Sequence, residues 1–167
     1  MTMSFVTLLI FMYQTNLMKK QNYLSILPYM AVTDTHNGAE QTFKLNLHNH
    51  GVGPAIIESV AMIHQTKKYD LSNFDNNIYS FLINRAPQLD SIRNFSSSTL
   101  DKGMAIPANT IYNIFAVTNS SRDYVLITNA LDRLLVEEEL DYEIVYKSIQ
   151  NERWLITKDS KGPIKLD

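Results

Sequence analysis

Four histidines, at positions 36, 48, 50 and 64, are the residues best suited to metal or proton-transfer chemistry in this 167-residue chain. His48 and His50 stand two apart, the spacing that puts both rings on one face of a strand, as a metal pair requires. They lack a third ligand. Across a hairpin turning at 51–54, His64 falls roughly 20 Å away at strand rise. Two exposed strand histidines are the plainer reading. His36 and His64 form a second candidate. If 24–33, 41–49 and 55–64 are consecutive neighbouring strands, His36 and His64 share one end of the domain with Asp34. That cluster is the basis for a weak ion site, or for a metal-dependent or hydrolytic enzyme.

Other chemistries are excluded or weakly marked. With no cysteine, thiolate zinc sites, iron–sulfur clusters, disulfides and cysteine nucleophiles are ruled out. His48-Asn49-His50 has the letters of a nuclease motif but none of its ββα metal unit. No serine sits in a nucleophile elbow, and no spaced carboxylate pair marks a glycosidase. Glu137-Glu138-Glu139 reads as a solvated face. Gly51-Val52-Gly53 does not open a helix, as a dinucleotide loop must, because Pro54 and the β-branched pair Ile56-Ile57 follow. It reads as a structural turn: Asn49 at the inward strand end bonds the loop backbone, and at least one of Gly51 and Gly53 takes a positive φ before Pro54. No cofactor is expected. The net charge is −2 and no basic stripe exists, which argues against nucleic acid as a partner.

The elements around these residues are mostly short strands. Apolar residues make up 45% of the chain, enough for one folded core at this length. Strands are expected at 24–33, 41–49, 55–64, 95–100, 104–106, 110–118, 140–147 and 153–158. A turn is expected at 34–38. The alternation of Leu140, Tyr142, Ile144 and Tyr146 with Asp141, Glu143, Val145 and Lys147 describes a half-buried strand. Helical spacing appears over 71–85, capped by Ser72, and over 121–136, capped by Ser120 or Ser121. The fold expected is all-β: a two-sheet immunoglobulin-like sandwich with two short helical insertions, preceded by an N-terminal apolar helix. An α+β fold with one sheet covered by helices is the alternative. The expected division is 1–22 as anchor and basic junction, 23–158 as the sandwich, and 159–167 as a polar tail.

Residues 1–18 carry no charge, and their dense apolar part runs from Phe5 to Tyr13 before Lys19-Lys20. No basic residue precedes the apolar run and no small-residue cleavage site follows it, so it is not a signal peptide. A single-pass membrane anchor is the reading preferred over a buried helix, with the bilayer as partner through residues 1–18. The two lysines after the tract weakly place the body in the cytoplasm.

Three stretches resemble a set of small bacterial proteins of unknown function: Lys19-Lys20-Gln21-Asn22-Tyr23-Leu24-Ser25-Ile26-Leu27-Pro28, the run from Leu47 to Ile57, and Ile144-Val145-Tyr146-Lys147-Ser148-Ile149. In those proteins a single N-terminal span leads into a β-sandwich with an N-x-G-x-GPA motif. The resemblance implies fold and tethering and transfers no active-site residue. The function expected is a membrane-tethered, non-enzymatic module that binds a protein partner through a sheet edge or an end loop.

Overall fold

The computed structural model describes residues 2–167. Two sheets face each other, but the chain is not all-β: about 36% is strand and 33% helix, with three α-helices among the described residues. The fold is mixed α/β, and the expected immunoglobulin-like all-β class is corrected. The helical segments are more than ornaments on a sandwich, since they form the walls that close it.

One sheet has the order β1-β2-β7-β5, built from Met30–Asn37, Thr42–Asn49, Thr110–Val117 and Phe95–Ser97. The other has the order β10-β9-β8-β3-β4, from Ile164–Leu166, Arg153–Thr157, Asp141–Lys147, Ala55–His64 and Lys67–Asp70. The short strand β6 (Ala105–Ile106) pairs with the start of β3. All pairings are antiparallel. Period-2 alternation decides which side chains meet between the sheets. Phe43 and Leu47 of β2, Ile57 and Val60 of β3, and Ile144 and Tyr146 of β8 are all buried there.

The crossovers close two sides. Between β4 and β5 the chain makes a 3-10 turn (Leu71–Phe74), then α2 (Ile78–Arg85), then a second 3-10 turn (Pro87–Ser91). Tyr79 of α2 stacks on Phe115 of β7 at 4.8 Å, and its hydroxyl donates to Leu89 O at 2.7 Å. The single helix expected over 71–85 is broken because Asp75 and Asn76 sit in the left-handed region. A new start then follows, with Asn77 Oδ1 capping the Tyr79 and Ser80 amides. Between β7 and β8, α3 (Ser121–Asp132) continues as a π-turn (Arg133–Glu137) across one end of the sandwich. Its cap is Ser120, whose Oγ accepts from the Asp123 amide at 3.2 Å.

The N-terminal region departs furthest from expectation. Helix α1 runs from Thr2 to Leu24, and β1 begins only at Met30, so 24–33 is not one strand. The expected turn at 34–38 is largely strand; the chain reverses at 38–41 instead. No helix among the described residues is long and apolar enough to cross a membrane. The physical reason is dilution. The run from Phe5 to Tyr13 spans only about 14 Å of helix, against a hydrocarbon core of about 30 Å. Gln14, Thr15, Asn16 and the two lysines occupy the turns beyond it. The single-pass anchor and the membrane localisation are therefore corrected; Met1, the first residue of that tract, lies outside the described residues. Helix α1 joins the body at its C-terminal end, where the Tyr23 hydroxyl donates to Glu152 Oε1 at 3.0 Å. At the other terminus, the polar tail contains β10, paired to β9 and tied by Lys165 Nζ to Glu152 at 2.7 Å.

Candidate functional site

A row of unpaired backbone groups lies along β1. This strand is the edge of its sheet, so every second residue turns its N–H and C=O away from β2. Two bonds fix which residues these are. Tyr29 O accepts from the His50 amide at 2.8 Å, so the odd-numbered residues face β2. The Met30 amide instead donates to the Tyr146 hydroxyl at 3.3 Å, outside the ladder. The register is unbroken from Met30 to Asn37. Val32, Asp34 and His36 therefore present three N–H and three C=O groups outward, with no protein partner among the described residues. Their side chains point into the gap between the sheets and line a cavity of about 330 Å³.

That cavity is apolar in depth and polar at its mouth. Phe43, Met62, Leu82, Phe115 and Ile144 lie among its walls, and Leu131 and Leu135 roof it from α3 and the π-turn. The polar lining residues are Asp34, His36, Asp132, Asp141, Tyr142 and Lys158. His36 Nε2 lies 2.8 Å from Asp34 Oδ2, and the ring packs edge-on against Phe43 at 4.9 Å. Asp141 Oδ1 accepts from the Tyr142 and Lys158 amides at 2.6 and 2.9 Å. Lys158 Nζ turns to Leu140 O at 3.3 Å. The Asp132 carboxylate makes no hydrogen bond or ion pair, and the Tyr142 hydroxyl no hydrogen bond, within the described chain. Burial, reinforced by the carboxylates of Asp141, Asp159 and Asp34, pushes the Tyr142 phenol up to about 12, so it remains a donor.

The histidine cluster expected from sequence is only half assembled. Asp34 and His36 are together. His64 is buried elsewhere: its Nε2 lies 2.7 Å from Glu138 Oε2, and Arg133 Nε approaches the other oxygen at 3.1 Å without hydrogen-bond alignment. Among the described residues, no three of His, Cys, Asp or Glu are grouped to hold a metal ion. The His48 and His50 rings lie tilted against each other, centroids 3.6 Å apart, on the other side of the sheet.

The 49–54 segment closes the opposite end of the sandwich. Asn49 is fully buried. Its Oδ1 accepts from the Gly51 and Tyr29 amides at 3.0 and 3.2 Å. Its Nδ2 donates to Gly53 O, Ile106 O and Pro107 O at 2.9, 3.1 and 3.1 Å. One side chain thus ties three strand ends together. Neither glycine has the expected positive φ. They are required for a different reason, close backbone approach: a Cβ on Gly51 would collide with Leu27 O and Tyr29 N, and one on Gly53 with the Ile26 carbonyl. Pro54 leads directly into β3.

The mouth residues Asp132, Asp141, Tyr142 and Lys158 escaped sequence reading. Tyr142 shares the alternation of Leu140 and Ile144 and so resembles plain core; only its position opposite the β1 edge of the facing sheet distinguishes it. No family model, curated protein or solved structure matches this chain.

Proposed function

We propose that this chain is a non-catalytic binding module that accepts an extended segment of a partner protein along β1. The observation that carries the reading is the row of six unpaired backbone groups on Val32, Asp34 and His36, beside an open apolar cavity. Strand addition uses such an edge: main-chain bonds supply affinity, and alternate side chains supply selectivity. The remaining polar side chains of high interest are engaged in structural roles, with Asn49 joining strand ends and His64 held by Glu138. The Asp34–His36 pair has no hydroxyl nucleophile among the cavity's lining residues beyond the Tyr142 phenol.

Proline substitution tests the reading. Pro tolerates an edge position whose N–H faces solvent, but it deletes that donor. His36→Pro should leave the fold intact and abolish binding of an extended peptide. Unchanged peptide binding by folded His36→Pro protein would refute strand addition at this edge.

A further inference from the structure

We propose that the segment accepted along β1 carries a lysine or arginine opposite Asp34, its aliphatic stem against the apolar wall of the cavity and its cation beside the Asp34 carboxylate, at a mouth that Asp132 and Asp141 also line. This rests on the strand-addition reading above. The geometry follows from antiparallel pairing. A residue directly opposite Asp34 would share its face, with the two Cβ atoms roughly 5 Å apart. That face looks into the gap between the sheets, where Asp34 already lines the cavity with Asp132 and Asp141.

Charge selects the occupant. Three carboxylates line the mouth against one ammonium, Lys158, which is directed to Leu140 O. His36 is bonded to Asp34 through one oxygen, leaving the other carboxylate oxygen open. Asp141 uses a single oxygen for both of its backbone bonds. Each acid therefore retains acceptor capacity toward an incoming cation. Lysine and arginine suit such a place because their stems lie on apolar surface while the head remains polar.

An inward-pointing acid on an edge strand also deters indiscriminate pairing. Here that function and selectivity coincide. An all-apolar or acidic strand would bury or oppose the Asp34 charge, whereas a basic one neutralises it. A second copy of this chain is disfavoured for the same reason. Two β1 strands paired about Asp34 would set like charges directly opposite.

The test uses the full chain and synthetic peptides of the form Thr-Val-Thr-X-Thr-Val-Thr, with X as lysine, norleucine or glutamate, read by fluorescence polarisation. Norleucine keeps the lysine stem without its charge. The lysine peptide should bind at least tenfold tighter than the norleucine peptide, and the glutamate peptide weakest of all. Asp34→Asn should bring the lysine and norleucine peptides to near-equal affinity, weakening the first and strengthening the second, with an unchanged circular dichroism spectrum reporting an intact fold. Equal binding of lysine and norleucine peptides, both lost on backbone N-methylation, would overturn the charge inference and leave strand addition standing. Indifference to N-methylation, or no binding by any peptide, would overturn strand addition and the inference with it. A dimer of the free chain that dissociates on His36→Pro substitution would place a second copy on the edge and overturn the inference.

Discussion

Replacing Asn49 is the sharpest probe of how the strand ends are joined. In Asn49→Ala, the Gly51 and Tyr29 amides lose their acceptor, and the carbonyls of Gly53, Ile106 and Pro107 lose a shared donor. Two buried unsatisfied amides at about 1–2 kcal/mol each, with the lost packing, give a destabilisation of about 3–5 kcal/mol. For a chain of this size that corresponds to a fall in Tm of roughly 10 °C. Asn49→Asp is the more discriminating variant. Its carboxylate keeps both amide bonds but sets an anionic oxygen where Nδ2 now stands, 2.9–3.1 Å from three carbonyl oxygens. The introduced carboxyl should be held above its ordinary pKa in the folded state. Its penalty is then smallest at low pH and grows as pH rises through the unfolded value near 4. Urea unfolding can be followed through Trp154, the sole tryptophan, buried and stacked on Tyr146 at 5.7 Å. The reasoning fails if Asn49→Ala lies within about 1 kcal/mol of wild type. It also fails if Asn49→Asp exceeds Asn49→Ala in stability at pH 7.

Gly53→Ala should destabilise by about 2–3 kcal/mol or more, because the Ile26 backbone must move; equilibrium unfolding would show it. Asp123 is buried and accepts from the Arg93 and Asn94 amides at 3.1 and 3.0 Å; its hydrogen bond from the Asn94 amide, against the opposing effect of burial, holds its carboxyl below the usual range. Its contribution is complete above the unfolded value of about 3.9 and is lost as pH falls through the folded one. The stability gap between wild type and Asp123→Asn, measured by urea titration across pH 2–7, should therefore narrow on acidification. Thr33→Pro removes an amide that faces β2 and should cost about 2–4 kcal/mol. His36→Pro, three residues on, should cost less than about 1 kcal/mol, and comparing their unfolding midpoints checks the edge assignment.

The strands at 42–49, 141–147 and 153–157 were legible because each has one wetter and one buried face, which writes period 2 into the sequence, and 55–64 because a central strand buried on both faces reads as a continuous apolar run. β1 was displaced because its solvated edge carries Asp34, Thr35, His36 and Asn37, residues that equally favour turns. The continuation of α1 to Leu24 was hidden by Lys19 to Asn22, which suggested a junction although lysine and glutamine are good helix formers. The break within 71–85 depends on two consecutive left-handed residues, Asp75 and Asn76, in a segment whose apolar spacing remains helical on either side.

For the site, the sequence indicated Asn49 and the glycines, yet the reason for the glycines lies in residues 26–29, more than twenty positions away. The pairing of Asp34 with His36 is local, but the sequence placed both residues in a turn at one end of the domain, and only the structure shows them two apart on a strand. The cavity mouth is not local. Asp34, Asp132, Tyr142 and Lys158 meet only because α3 crosses the sandwich and β1 lies at the end of the strand order. Strand order is a tertiary property, and no pattern within a single strand encodes it.

Amide hydrogen exchange along β1, resolved by NMR on the full chain with and without the lysine peptide, tests strand addition most directly. In the free chain the amides of Val32, Asp34 and His36 should exchange rapidly, while those of Ala31, Thr33 and Thr35, bonded to β2, exchange slowly; peptide binding should slow the first three selectively. Uniform protection along β1 in the free chain, or no selective slowing when peptide is bound, would contradict an open edge that receives a partner strand.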